Sequence, residues 1–191
     1  MPLQMTGAPA LEPVSLAEAK LHLRIDGTDE DALINSLIMT ARMALEQALG
    51  LALINQTWTY YRDAWPQGST LKLPLRPVQS IGFARVLSAT GSPTALTASD
   101  YVLEGRGMPP RMVRTGLAWP QPGKVAAGID VSFVAGFGPA ATDVPITIRQ
   151  ALLLLITHWH EHRDTIEFGT QEANIPKAVS DLMAPYRTVK L

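Results

Sequence analysis

The chain has 191 residues, 47% apolar and 17% charged, which suits one domain, or one domain carrying an insertion, with material for a real core rather than disorder throughout. Sixteen basic residues against seventeen acidic leave a formal net charge of −1, without the basic excess of a protein whose main task is gripping nucleic acid. The absence of cysteine removes disulfides, thiolate zinc sites and thiol nucleophiles together.

The longest strongly apolar run, Ala151 to Thr157, is far short of the roughly 20 residues that a membrane-spanning helix needs. Met1 to Pro13 lacks the basic start and apolar stretch of a signal peptide. The expectation is a soluble protein, with no membrane partner, that stays in the compartment where it is made. Residues 1–13 read as a flexible arm.

Ser15-Leu16-Ala17-Glu18 is a capping box, in which the serine hydroxyl accepts an orphan helix N–H and the glutamate reaches back. The short helix it opens is predicted to stop at Asp26-Gly27, where glycine tolerates a left-handed cap. Thr28 then caps a longer helix with Asp29, Glu30 and Asp31 in its first turn, favourable for the helix dipole. Leu33, Ile34, Leu37, Ile38, Ala41, Leu45, Ala48 and Leu49 recur at helical spacing up to Gly50.

From Leu51 to Ala141 the pattern becomes β-rich. Strands are predicted at Thr57–Tyr61, Leu71–Leu73 and Ile81–Leu87, with a turn at Thr90-Gly91-Ser92-Pro93. Tyr101–Leu103 and Met112–Arg114 pair across Gly105-Arg106-Gly107, and Ile129–Val134 alternates most cleanly. Helical signals return at Asp143-Val144-Pro145, a capping aspartate and a first-turn proline. That helix is predicted from Ile146 to Arg163, apolar nearly all round through Leu152–Ile156, which implies burial on several sides. A polar loop over Asp164–Asn174 carries the exposed apolar pair Ile166 and Phe168. A last helix follows over Lys177–Met183, between Pro176 and Pro185, and Tyr186–Leu191 reads as extended.

His158-Trp159-His160-Glu161-His162 contains H-x-x-E-H, in which two histidines at i and i+4 share a helix face and bind zinc. A zinc hydrolase still needs a third ligand, and the only downstream glutamates, Glu167 and Glu172, sit in the adjacent loop. The polar end of a buried helix, with His162 and Arg163 near its C-terminus, accounts for the same residues. Asp26–Asp31 lacks the glycine and glutamate spacing of a calcium loop. The second helix is too acidic at its start to read a DNA groove. Gly136-Phe137-Gly138-Pro139 lacks the lysine and hydroxyl of a phosphate loop, and no G-x-S-x-G elbow exists. Asp63, Asp100 and Asp130 are scattered on strand ends and form no acid–base pair. Trp58, Trp65, Trp119 and Trp159 are large anchors, of the kind that both cores and interfaces use. The residues therefore point to no catalytic group, metal or cofactor.

Several stretches together resemble the head–tail connector (adaptor) proteins of long-tailed phages, prophages and gene transfer agents. They are Pro13–Lys20 with His22-Leu23-Arg24, Asp29–Ile34, Gln56-Thr57-Trp58, Ala98–Tyr101 and Val134–Gly138. Val144-Pro145 leading into Arg149-Gln150-Ala151, and Ile175-Pro176 through Leu182–Arg187, complete the set in order along nearly the whole chain. The resemblance implies a structural ring, expected to be dodecameric, between the portal and the stopper or tail terminator in the particle neck. Double-stranded DNA would pass through without sequence-specific binding, and the subunit would be made in the bacterial cytoplasm.

The expected architecture is α+β. A helical bundle takes residues 14–50 and 142–191, and a β-rich insertion takes 51–141. Segments that order only on assembly are expected at Met1–Glu12, Asp164–Asn174 and Tyr186–Leu191. Candidate contact residues for partners or neighbouring copies are Ile166, Phe168, Tyr186, Arg187, Val189 and Leu191. The alternatives are another tail-completion protein, a stopper or terminator, and a zinc hydrolase on His158 and His162.

Overall fold

The computed structural model describes residues 3–116, 118–162 and 176–187. Its elements are β1 (Leu3–Gly7), α1 (Leu16–Leu23), α2 (Asp31–Leu49), β2 (Gln56–Arg62), β3 (Thr70–Lys72), β4 (Val78–Leu87) and β5 (Pro93–Ala95). After these come β6 (Tyr101–Glu104), β7 (Arg111–Arg114), β8 (Ile129–Ala135), α3 (Ile146–Glu161) and α4 (Lys177–Met183). The fold is α+β, and the chain gathers into two compact units. One takes the described residues up to Ala10 together with Gly50–Pro139; the other takes Leu11–Leu49 and the described residues from Ala140 onward.

The first unit is built on β8. Its β-branched and aromatic residues favour a strand, and it is buried along almost its whole length. A five-stranded antiparallel sheet runs β1-β2-β8-β4-β5, so β8 is flanked by β2 and β4. Phe133 faces Trp58 on β2 and Ile81 on β4, and Val131 faces Tyr60 and Ala84. The residues that alternate with them, Asp130 and Ser132, are polar yet also buried, at 4% and 6% exposure. Arg85 Nη2 lies 2.9 Å from the Asp130 carboxylate. A three-stranded sheet, β3-β7-β6, adds Leu71 and Met112 to the core around Ile129, Val131 and Phe133. The predicted pairing of β6 with β7 is present, with Tyr101 opposite Arg114 and Leu103 opposite Met112.

Leu3–Gly7 corrects the reading of residues 1–13 as a flexible arm. This segment pairs antiparallel with β2, Leu3 opposite Tyr60 and Met5 opposite Trp58, and Leu3 packs against the sheet core. Strand formation here depends on an unpaired edge offered by a segment more than fifty residues away, which so short a stretch of local pattern does not reveal.

In the second unit the capping box of α1 is present: Glu18 N donates to Ser15 Oγ at 3.2 Å, and Ser15 N donates to Glu18 Oε2 at 2.9 Å. The helix stops earlier than predicted, at Leu23, with Arg24 in the left-handed region (φ 58°) and its N–H turned back to Leu21. Helix α2 starts at Asp31 rather than just after Thr28. The carbonyl of Thr28 accepts the Asp31 N–H, and the Asp31 carboxylate meets Lys20 Nζ at 2.6 Å. Ile34, Ile38, Ala41, Leu45 and Leu49 form its buried stripe. Asp143, expected to cap α3, instead accepts the Ala140 N–H in the preceding turn, and Pro145 occupies the cap position. Helix α3 ends at Glu161 rather than Arg163 and buries Ile148, Ala151, Leu152, Leu155 and Ile156. It packs on α2 and on α4, where Val179 and Met183 are buried. Among the described residues no helix is long and apolar enough to cross a membrane.

The chain enters and leaves the β-rich unit side by side. Phe137 N donates to Leu53 O at 3.1 Å, Asn55 N donates to Gly138 O at 3.0 Å, and Ile54 bridges Gly138 in parallel. Gly136 makes this approach possible: its φ is +149°, and a Cβ there would sit 2.5–2.7 Å from the backbone of Ile54 and Asn55. Gly136→Ala is expected to destabilise the protein by about 2–4 kcal/mol, the combined scale of backbone strain and overpacking, measured as a lower urea midpoint; an unchanged midpoint would refute the role given to this glycine.

Candidate assembly surfaces

Of the six candidate contact residues, the structure describes two. Tyr186 lies in a single 3-10 turn after α4, its hydroxyl 2.9 Å from Thr147 Oγ1 at the start of α3. Arg187 follows in extended backbone and donates from Nη2 to Ser180 Oγ at 2.7 Å. Both are therefore tied into the helical unit. Ile166, Phe168, Val189 and Leu191 lie outside the described residues.

The histidine-rich segment is the end of α3, half-buried through His160 and exposed at Glu161 and His162. The rings of His158 and His162 stand 4.6 Å apart, tilted by 34°, and His162 Nδ1 lies 2.9 Å from the His158 carbonyl. His160 points away from them, its Nε2 2.9 Å from Glu30 Oε2. Among the described residues no three His, Asp or Glu side chains come together as metal ligands. The helix spacing sets two imidazoles side by side, as the sequence implies, but His162 is engaged in closing the helix end.

Sequence reasoning missed two clusters. In the β-rich unit Trp65 and Trp119 stack with centroids 4.2 Å apart and planes 10° from parallel. Each indole N–H is satisfied by a carbonyl, Trp65 by Pro120 at 2.8 Å and Trp119 by Gly68 at 3.1 Å. Arg114 lies over Trp119, 5.6 Å from the ring centre, beside an open cavity of about 430 Å³ that the two rings help to line. No carboxylate or imidazole lines that cavity among the described residues. The count of tryptophans signals anchors, but not that two of them, more than fifty residues apart, meet face to face.

The second cluster ties the helical unit together. Arg42 is 6% exposed at its side chain and bonds two carboxylates, Glu12 through Nε at 2.7 Å and Glu46 through Nη1 at 2.9 Å. Burial alone would lower its pKa, but the two carboxylates together outweigh that and raise it, so the ion is firmly held. Arg149 of α3 reaches back to Glu18 Oε1 and donates to the Pro13 carbonyl at 3.1 Å. The Ser15 backbone N–H, and then the Ser15 hydroxyl and Arg149, hold the Glu18 carboxyl below the usual carboxylate range against a partial desolvation cost. An arginine and a glutamate four apart on α2 are a readable pair; that they face inward is not.

The head completion protein family matches residues 13–189. The chain belongs to that family. Three solved structures are similar over 100% of this chain and 97% of theirs. One is a chain from the virion of a native gene transfer agent particle, at 29% identity and TM-score 0.83. The second is from the neck of an empty gene transfer agent particle computed with C6 symmetry, at 28% and 0.86. The third is from the neck of a native particle computed with C12 symmetry, at 27% and 0.83. No curated protein matches the chain. This protein is a structural head–tail connector subunit, as the ordered motifs implied.

Arg42→Ala removes the cation that both Glu12 and Glu46 bond. It is expected to cost about 3–5 kcal/mol by urea unfolding, because breaking a buried ion pair strands its partner; Arg42→Met with Glu46→Leu should recover most of that loss. Glu18→Gln keeps the cap acceptor and loses the charge facing Arg149. At neutral pH it should cost about 0.5 kcal/mol, the scale of a partly exposed pair. A carboxyl whose folded pKa is depressed adds stability above its unfolded pKa and loses it as pH falls through the folded value. Melting curves of wild type and Glu18→Gln should therefore converge as the pH drops below the usual carboxylate range, and a gap that stays constant as the pH falls would contradict the assignment.

Proposed function

We propose that copies of this chain close into a ring, twelve in number, in the neck of a phage or gene-transfer-agent particle. The ring joins the portal to the stopper or tail terminator, and double-stranded DNA passes through it. The observation that carries this reading is full-length similarity to a chain from a particle neck computed with C12 symmetry. A head-to-tail interface repeated with a rotation of one twelfth of a turn closes such a ring without any copy being special.

The charge balance supports a conduit. A net charge of −1 gives passing DNA little to hold, whereas each phosphate neutralised by a fixed cation would add affinity and slow transit. In this reading the helical unit, drawn from both ends of the chain, is the ring-forming bundle, and the β-rich segment is its insertion. Residues from Tyr186 onward, with Val189 and Leu191, form the arm that meets the portal, and Ile166 and Phe168 meet a neighbour. The motivation for the arm is its short amphipathic pattern.

Native mass spectrometry and negative-stain imaging of the purified protein, alone and mixed with portal-bearing capsids, test the proposal. Rings in solution, or a collar of density under the portal, are the expected result; a monomer that ignores the portal would overturn it. Removing residues 188–191 leaves the Tyr186–Thr147 bond in place, so the melting temperature should stay within a few degrees of wild type while attachment to portal-bearing capsids is lost. Normal attachment would refute the role of the arm.

A further inference from the structure

Helix α2 wears its charges on the wrong side for a helix that faces water. Between Ala32 and Leu49 its only charged residues are Arg42 and Glu46, and both are buried, at 5% and 8% exposure. Its outward face is Ala32, Ser36, Met39, Met43 and Gln47, spaced by steps of three and four so that they form one stripe, about 22 Å long at the helical rise. Met39 is 50% exposed and Met43 57%. Thr40 beside them donates its hydroxyl to the Ser36 carbonyl at 2.8 Å. A surface helix normally places charge on its solvent side, and flexible, polarizable methionines suit a surface that packs against protein.

We infer that this uncharged stripe of α2 is a contact surface between neighbouring copies of the chain. The inference rests on the ring reading above. A ring demands that each copy present two different surfaces to its two neighbours, and a chain similar over the whole of this one comes from a particle neck computed with C12 symmetry. Duplex DNA is a poor occupant, because the stripe offers no cation to a phosphate. A second copy is the occupant that removes two half-exposed methionines from water without stranding any charge, which matches the depletion of charge at interface centres.

The lack of cysteine makes a single introduced thiol a clean probe. In rings isolated by size, the thiol of Met43→Cys should react with a maleimide reagent about tenfold or more slowly than in the denatured chain, because a covered thiol is inert. The double variant Met39→Glu, Met43→Glu should keep the wild-type circular dichroism and melting temperature, since both positions face outward, yet remain monomeric. Rings in which the introduced thiol reacts freely, or rings formed by the double glutamate variant, would overturn this surface while leaving the ring itself standing. Monomers only, from the wild-type chain and on portal-bearing capsids alike, would instead remove the ring reading and this inference with it.

Discussion

The parallel crossing of Leu53–Asn55 with Gly136–Gly138 is the constraint on which the rest of the chain depends. A long β-rich stretch separates these segments, yet backbone hydrogen bonds hold them side by side. Closing so long a loop costs only slowly more entropy than closing a short one, provided that the two strands of backbone can touch. Gly136 supplies that contact, since no side chain fits between it and Asn55. With the ends of the β-rich unit fixed together, Leu11–Leu49 and the helices after Ala140 can complete one helical unit. Arg149, bonded to Glu18 and to the Pro13 carbonyl, then ties the later segment to the earlier one.

The distribution of charge follows from the same economy and bears on function. The buried Arg42–Glu12–Glu46 cluster satisfies its ions internally, where a broken pair would be costly. This frees the outer face of α2 from charge. In the reading proposed above, a ring subunit needs surfaces that recognise its neighbours and a passage that lets DNA move. A family member with near-balanced charge, well-packed units and an uncharged outer stripe fits those demands. The stacked Trp65–Trp119 pair, with both indole N–H groups satisfied, does for the long loops of the β-rich unit what short strands alone cannot, giving them a rigid aromatic centre.

Much of the fold was legible because local physics decides it. The periodic apolar residues of α2, the alternation of β8, the β6–β7 hairpin and α4 between its prolines all stand where their patterns place them. The misses have a common cause. The end of α1 at Leu23, the start of α2 at Asp31 and the cap of α3 at Pro145 differ from the signals at Gly27, Thr28 and Asp143. Competing partners explain the shifted boundaries of α2 and α3: Thr28 and Asp143 serve turns, and Asp31 is held by Lys20. Strand β1 was invisible because its partner edge is remote.

By itself the sequence determined the element types, the α+β class, the absence of thiol chemistry and, through the ordered motifs from Pro13 to Arg187, the kind of protein this is. The first three follow from spacing and residue type, which act over a few neighbours; the last came from resemblance to a known family. Only the tertiary structure decided that residues 3–7 are a strand, that Trp65 meets Trp119, that Arg42 faces inward between Glu12 and Glu46, and that α2 shows an uncharged face. Each of these depends on which distant backbone or side chain arrives at a position, and hydrogen bonding and burial choose that partner only when the whole chain is packed.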